Sequence, residues 1–215
     1  MKRSRPHLAV VEGGTASEPA PSPSDEELIR AVEEGDAHVA GLLYDRLLPT
    51  VDRTIVRVLG RREAEHEDLV QSAFEQIVMT LSRRRFGRTC SLDAWASTLA
   101  SRVAFNVLRS RTRERRVVDH KADLDDATRT RAGGRDVERE AGTRRQLDRV
   151  RLHLSQMSEL RATTLFLHDG LGYDLAEIAV LTGASIAAAQ SRLVRGRREL
   201  QQRMGEDIPA QEDER

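Results

Sequence analysis

Residues 91–116 read SLDAWASTLASRVAFNVLRSRTRERR, and the rest of the chain is best interpreted outward from this segment. Wound as an α-helix, at about 100° per residue, the segment separates into two faces. One face is an apolar stripe for a core, formed by Leu92, Ala96, Leu99, Ala100, Val103, Ala104 and Val107. The opposite face carries Trp95, Thr98, Arg102, Asn106, Arg109, Arg113 and Arg116, with Phe105 at its edge. Ser91 stands where it can cap the N-terminus of this helix.

The polar face of this helix has two interpretations. Arginine neutralises phosphate, an amide reads the edge of a base, and an aromatic ring stacks on an unpaired base, so the face suits nucleic acid. Alternatively, the face is a solvated charged surface and Trp95 is tucked into the core. The helix taken alone does not decide between the two.

The composition favours small helical bundles. The chain has 215 residues, of which 3% are aromatic and 33% are charged, which is poor material for one large core. Because no segment alternates apolar and polar residues as a strand would, the predicted fold class is all-α. The formal net charge is zero, which argues against a generic polycation. Cys90 is the only cysteine, so the sequence holds no disulfide framework and no thiolate zinc site.

No apolar run approaches the roughly 20 residues that a membrane span needs. The basic start of the chain, residues 1–5, is not followed by the apolar segment of a signal peptide. We therefore expect a cytoplasmic protein without membrane insertion.

Composition and periodicity divide the chain into five segments. Residues 1–23 are rich in Pro, Gly and Ser and predict a disordered tail, and the acidic residues 205–215 predict a frayed one. Residues 24–116 predict a helical bundle that starts at a Ser24–Glu27 capping box and is kinked or broken at Pro49. Residues 117–143 lack periodicity and predict a flexible linker, and helical periodicity returns over residues 144–204.

The second bundle ends in a helix-turn-helix pattern. A capping box at Asp174 and Glu177 opens a short helix to Leu181, a Gly183 turn follows, and Ser185 caps a last helix. The inner positions are Leu175, Ile178, Ala179 and Leu181, then Ile186, Ala189, Leu193 and Leu200. The outer positions are Ala187, Ala188, Ser191, Arg195 and Arg198, with Arg192 at the flank. Small residues allow close approach to a major groove, and arginines can bind phosphates or guanine edges. The alternative is an amphipathic hairpin with a basic end; the turn, spacing and caps together favour DNA.

Three segments, in this order, resemble the bacterial RNA polymerase sigma factors of the extracytoplasmic-function group. They are EHEDLVQSAFEQI at 65–77, WASTLASRVAFNVLRSR at 95–111 and DLAEIAVLTGASIAAAQSRLVRGRREL at 174–200. The resemblance implies that the N-terminal domain binds the polymerase clamp and opens the −10 promoter element. It also implies that the C-terminal domain reads the −35 element and touches the polymerase flap. The implied partners are core RNA polymerase, promoter DNA and an anti-sigma factor.

The resemblance also implies roles for individual residues. Asp68 and Gln71 would contact polymerase, whereas Leu69, Val70 and Phe74 of the same motif are interpreted as core. The outer face of the helix and the resemblance together predict a −10 set: Trp95, Arg102, Phe105, Asn106, Arg109, Arg111 and Arg113. The outer face and cap of the last helix, given a −35 role by the resemblance, predict a second set: Ser185, Ala187, Ala188, Ser191, Arg192, Arg195 and Arg198. Four positions depart from common family residues and leave the promoter preference open: Arg102 (usually Asn), Asn106 (commonly Asp), Ala188 (often Thr) and Gln190 (often Lys).

The sequence offers no centre for catalysis, no cofactor motif and no metal site, so we do not expect an enzyme. Its six histidines lack ligand spacing, and His66 and Glu67 are expected on a solvated turn. Gly170 and Gly172 have no preceding strand for a phosphate loop. Two rival functions stay open. One is a helix-turn-helix regulator that never joins polymerase, although the N-terminal half lacks the βα alternation of a receiver domain. The other is a sigma-like decoy for an anti-sigma factor, which the altered Arg102 and Ala188 keep possible.

Overall fold

The computed structural model describes residues 23–119 and 135–206, and over these ranges it contains eight α-helices and no strand. The predicted all-α class and its arrangement as two helical bundles are therefore confirmed. The helices are α1 (Asp25–Glu34), α2 (Ala37–Leu59), α3 (His66–Ser82), α4 (Leu92–Asp119), α5 (Arg135–Gln156), α6 (Glu159–Leu165), α7 (Leu175–Thr182) and α8 (Ile186–Glu206). Helix α6 passes directly into a π-helical turn at Phe166–Gly170.

Side chains cap the helices where the sequence places them. The Glu27 backbone N–H donates to Ser24 Oγ, and the Ser24 N–H donates to the Glu27 carboxylate, which completes the predicted capping box. Asp174 and Glu177 repeat the arrangement at α7, with both bonds 2.8 Å long. These caps satisfy N–H groups that have no partner inside the helix.

Helix α2 continues through Pro49, so the predicted break at this residue is wrong, and the alternative of a kink stays a prediction. Proline removes one helical hydrogen bond, here the donor to the carbonyl of Asp45, and both residues are exposed where water can bind that oxygen. Beyond the proline, Val51 and Ile55 are fully buried. Their burial holds the helix together across the missing bond.

Helix α3 begins at His66, which is buried and not on a solvated turn as expected. The histidine Nε2 lies 2.7 Å from Asp52 Oδ1 of α2, and Arg62 donates to the other oxygen of the same carboxylate. The hydrogen-bond partner of the buried His66 is thus Asp52, which lies on a different helix and 14 residues earlier in the chain.

Helix α4 is the central helix and is buried on more than one face. The expected stripe is present, with Ala96, Ala100 and Ala104 fully buried. Phe105 and Thr98, expected at the edge and on the solvent face, are each only 1% exposed, so these two placements are wrong. The reason is that α4 packs against α2 and α3 on one side and against α5, α6 and α7 on the other.

The two bundles pack together through this helix and share one apolar core. Leu154 and Met157 of α5 and the following loop join the same buried cluster as Ala104 of α4. The predicted linker, 117–143, is helical at both ends, since α4 continues to Asp119 and α5 begins at Arg135. Residues 120–134 of that linker lie outside the described residues, as do 1–22 of the predicted N-terminal tail and 207–215 of the acidic tail.

In the C-terminal bundle α6 and α8 approach closely at Gly196. A Cβ atom at this position would lie 3.0 Å from Leu165 Cδ1, so the contact depends on the absent side chain. Of the predicted inner residues, Ala189 and Leu193 are buried, but Ile186 is 54% exposed and its placement is wrong. Ile186 is the first residue of α8, at the exposed start of the helix.

Candidate polymerase and promoter surfaces

The outer face of α8 is presented by a tight turn. Gly183 adopts a left-handed backbone, φ +62°, and the Ala184 N–H donates to the Ala179 carbonyl at 2.8 Å. The Ala188 N–H donates to Ser185 Oγ at 3.2 Å, as expected of a cap. Together these bonds fix the angle between α7 and α8.

The predicted −35 set shares this outer face. Ser185, Ala187, Arg195 and Arg198 are exposed, and Ala188, Ser191 and Arg192 are half-buried. Arg195 Nε donates to Ser191 Oγ at 3.0 Å, which lays its guanidinium along the helix. Sequence reasoning missed Val194, which is 59% exposed in the middle of this face and adds an apolar contact among the polar groups.

Arg197 lies on another side of α8, where it binds a residue of the π-helical turn. Its Nε donates to Asp169 Oδ2 at 3.0 Å, and His168 Nδ1 lies 2.7 Å from the other oxygen of that carboxylate. The bond from Arg197 is the main cause that lowers the pKa of Asp169, against the effect of burial. The pair fixes the π-helical turn to α8.

The predicted −10 set on α4 is divided by the fold. Asn106 and Arg113 are exposed, and Arg102 and Trp95 are half-buried. The Trp95 ring packs on Phe86, with ring centroids 4.7 Å apart and planes tilted by 41°. These four residues keep atoms at the surface.

The other three members of that set have protein partners. Phe105 is in the core, and Arg109 Nη1 donates to Asn106 Oδ1 at 2.8 Å. Arg111 donates to the carboxylates of Glu63 and Glu65. Burial raises the pKa of Glu63, but the hydrogen bonds from Arg111 and Arg61 outweigh it, so the pKa lies below its ordinary value.

A groove of about 1100 Å³ runs between α2 and α3 on the side of the N-terminal bundle. Tyr44 packs on Phe74 with ring centroids 4.4 Å apart, and Met79 is 46% exposed at the groove's edge. Gln71 lines the groove, whereas Asp68 is exposed and does not line it. Sequence reasoning missed this groove, although the i,i+4 spacings of Tyr44 with Leu48 and of Phe74 with Val78 mark its two walls.

Comparison with known families decides what these surfaces belong to. The family described as Sigma-70 region 2 matches residues 43–114, and Sigma-70, region 4 matches residues 147–200, together more than half of the chain. The chain belongs to the sigma-70 family of sigma factors. The N-terminal bundle is thus region 2 and the C-terminal bundle region 4.

Two solved structures are similar to this sigma factor over most of the chain. CnrH, solved in complex with the cytosolic domain of CnrY, is 20% identical over 86% of this chain and 99% of its own, with a TM-score of 0.50. The sigma factor RpoE, solved with the anti-sigma factor NepR from Bartonella quintana, is 21% identical over 77% of this chain and 96% of its own, with a TM-score of 0.43. A search of curated proteins finds no match.

Within residues 23–119 and 135–206, no group of three or more His, Cys, Asp or Glu side chains is placed to hold a metal ion. In the same ranges, no helix combines the length and apolarity needed to cross a bilayer.

Proposed function

We propose that this sigma factor binds core RNA polymerase and directs it to promoters, with α4 engaging the −10 element and α8 the −35 element. The outer face of α8 carries the proposal. Small residues occupy its first turn, and Arg195 and Arg198 follow on the same exposed face. The N-terminal part of a recognition helix meets base edges, while arginines farther along neutralise phosphates.

The groove between α2 and α3 is the surface that we assign to polymerase. Its exposed apolar atoms come from Tyr44 and Met79, and Gln71 and Glu67 add polar contacts along one wall. Gln71 Nε2 donates to Glu75 Oε1 at 3.1 Å, so the amide is already oriented. Asp68 is exposed on the same helix outside the groove lining, and its assignment to polymerase rests on the family resemblance alone.

The outer face of α4 is the surface that we assign to the opened −10 element. Trp95 can stack on an unpaired base, which is worth about 1–3 kcal/mol per base. Asn106 offers an amide to a base edge, and Arg102 and Arg113 offer charge to the backbone. Three further residues of the predicted −10 set can join this surface only after they lose their present contacts within the protein: Phe105, Arg109 and Arg111.

The segment between the bundles acts as a tether in this proposal. When one bundle is bound to a promoter element, the tether raises the effective concentration of the other bundle at its own element. Each element then needs to contribute only modest affinity.

We also propose an anti-sigma factor as a partner. CnrH and RpoE are each described in complex with another protein, CnrY and the anti-sigma factor NepR respectively. The groove on α2 and α3 is a concave apolar surface that such a protein could cover, which would block polymerase.

Run-off transcription with purified core polymerase tests the function. Start sites would first be mapped by sequencing transcript 5′ ends after overexpression. The sigma factor should then co-purify with core polymerase and start RNA at those sites. A regulator that works without polymerase would not co-purify, and a decoy would bind its anti-sigma partner yet start no RNA.

Paired variants locate the DNA contacts. Each phosphate contact adds about 0.9 to the slope of log K against log salt, so Arg195→Ala with Arg198→Ala should flatten this slope by about 2. Core binding should be unchanged. The matched control is Arg30→Ala with Arg53→Ala, which removes the same charge from exposed sites on α1 and α2. Loss of polymerase binding with DNA binding intact would contradict the role of α8.

A further inference from the structure

The arginines of α8 differ in their partners from one side of the helix to another. Two of them donate to carboxylates: Arg197 to Asp169 and Arg203 to Glu199. On the outer face, Arg195 donates to the Ser191 hydroxyl, and Arg198 donates to no group of the described residues. Arg192, at the flank of that face, has a buried Nη1 atom without a hydrogen-bond partner. The outer face therefore holds cations that no carboxylate of the described chain neutralises.

The strip of α8 that runs from Arg198 to the end of the helix is open. At 100° per residue, Gln202 and Gly205 point within about 40° of the direction of Arg198. Both are exposed, and a Cβ atom added at Gly205 would have no neighbour within 4 Å. Gln202 Nε2 donates to Glu206 Oε1 at 3.1 Å, so the last residue of the helix lies beside this strip. No described side chain blocks a segment that turns back along it.

The segment that follows α8 is acidic. Residues 207–215 lie outside the described part of the chain and read DIPAQEDER, with one arginine. The segment has four carboxylate side chains: Asp207, Glu212, Asp213 and Glu214. Its charge is therefore opposite to that of the outer face of α8.

The length of this segment matches the distance to the exposed arginines. A helical rise of 1.5 Å per residue places Arg198 about 12 Å and Arg195 about 16 Å before Glu206. Six extended residues cover up to about 20 Å. The carboxylates at 212–214 can therefore reach both guanidinium groups.

We infer that residues 207–215 dock on the outer face of α8, where their carboxylates compete with DNA phosphates for Arg195 and Arg198. The inference rests on the proposed function of α8. Guanidinium groups bind carboxylates and phosphates through the same hydrogen bonds. Because the segment is part of the chain, its effective concentration at this face is high, and weak ion pairs are enough for competition.

The competition reduces binding to DNA that lacks a promoter. Non-specific affinity comes almost entirely from phosphate contacts, which the docked carboxylates replace. At a promoter, base contacts by α8 and the second element bound by α4 supply additional affinity that displaces the segment. The free protein is thereby kept from arbitrary DNA, and the complex with polymerase still binds its promoter.

A spin label on the segment tests the docking without DNA. The label is attached through Ala210→Cys, with Cys90→Ser to remove the other thiol, and it leaves every carboxylate in place. Backbone amide signals of Ser191 and Arg195 should lose intensity in the NMR spectrum of the full chain. They should recover in added salt, which screens exposed ion pairs, and when the acidic residues at 212–214 are replaced by their amides.

The NMR outcomes decide the location of the segment. Equal intensities at Ser191 and Arg195 with acidic and amide segments would overturn the docking, as would a loss confined to α5 beside Arg149. A mixture of spin-labelled protein with isotope-labelled, unmodified protein should show no loss. Loss in that mixture would mean that the segment binds a second copy of the chain, which also overturns the inference.

A double-mutant cycle tests the competition with DNA. A duplex of arbitrary sequence, followed by fluorescence anisotropy, should bind the free E212Q/D213N/E214Q variant at least about threefold more tightly than the unmodified protein at low salt. Exposed acids of the N-terminal bundle provide a control with the same change of charge: Glu26→Gln, Glu34→Gln and Asp45→Asn. In the background of Arg195→Ala with Arg198→Ala, the amide segment should give no gain. An equal gain in both backgrounds would indicate general charge repulsion and contradict the inference.

The same cycle separates the inference from the proposed function. If Arg195→Ala with Arg198→Ala leaves DNA affinity unchanged in protein with the amide segment, the proposed role of α8 fails. If those changes weaken DNA binding but the amide segment gives no gain in the unmodified background, α8 keeps its role and the competition is wrong.

Discussion

The contact between Phe105 and Phe166 can be measured as a coupling free energy. We predict that Phe105→Leu and Phe166→Leu are non-additive, because each single change already removes the edge-to-face pair. Such a pair is worth about 0.5–1.5 kcal/mol beyond the apolar area that it buries. Leucine keeps both sites apolar, so the variants should fold, whereas alanine at the fully buried Phe105 would cost about 3–5 kcal/mol.

Urea unfolding followed by circular dichroism is the assay. With a slope of about 2 kcal/mol per molar urea, a coupling of about 1 kcal/mol shifts the midpoint of the double variant by roughly 0.5 M from the additive value. Because the two bundles share one core, we also expect a single transition for the whole chain.

A second cycle at Tyr44 and Phe74 is the positive control. These rings are 4.4 Å apart within the N-terminal bundle, so they should couple whether or not the bundles pack together. Additivity to within about 0.3 kcal/mol at Phe105 and Phe166, with clear coupling in the control, would refute the packing of the two bundles.

Three further predictions concern stability. Gly205→Ala should stabilise α8 by up to about 1 kcal/mol, whereas Gly196→Ala should not, because the new Cβ would lie 3.0 Å from Leu165 Cδ1. Equal gains in melting temperature for the two variants would contradict this prediction. Asp174→Ala should cost about 1 kcal/mol in urea unfolding through loss of the cap, and an unchanged midpoint would mean that the cap contributes nothing. Asp93→Asn should lower the free energy of unfolding at neutral pH, and the difference from the unmodified protein should vanish in acid. A difference that persists at the lowest pH would contradict a stabilising role for the ionised Asp93 carboxylate.

The sign of the pH effect is set by the contacts of Asp93. Burial raises the pKa of this carboxyl, but hydrogen bonds from Arg46 and Thr50 outweigh it and bring the pKa below its ordinary value. A carboxyl whose pKa is lowered by folding stabilises the folded protein at pH values above its unfolded-state pKa of about 3.9. This stabilisation is lost as the pH falls through the folded-state pKa. The pair is partly exposed, so we expect an effect of less than about 1 kcal/mol.

Local signals in the sequence predicted local structure well. Both capping boxes form as expected, and the Gly183 turn stands between α7 and α8 where the pattern placed it. Each of these features needs only residues three or four positions apart, so the chain specifies it without reference to the rest of the fold.

Contacts between distant segments explain what the sequence could not show. A helical wheel assigns one buried face, but α4 also contacts helices of the C-terminal bundle, and Phe105 is buried there against Phe166. Arg111 donates to the carboxylates of Glu63 and Glu65, which lie nearly fifty residues earlier in the chain. The sequence therefore could not show that its charge is paired. The groove between α2 and α3 likewise exists only once two helices have packed.

The π-helical turn at Phe166–Gly170 determines how the halves of the molecule are joined. The Leu171 N–H donates to the Phe166 carbonyl five positions earlier, so this turn holds one residue more than an α-helical turn. Deleting that residue would restore ordinary α-helical winding and rotate α6 by about 100° relative to α7 and α8. Helix α6 would then lose its close approach to α8 at Gly196, and Phe166 would swing away from Phe105. The length of this one turn therefore sets the rotation at which α6 meets both α4 and α8.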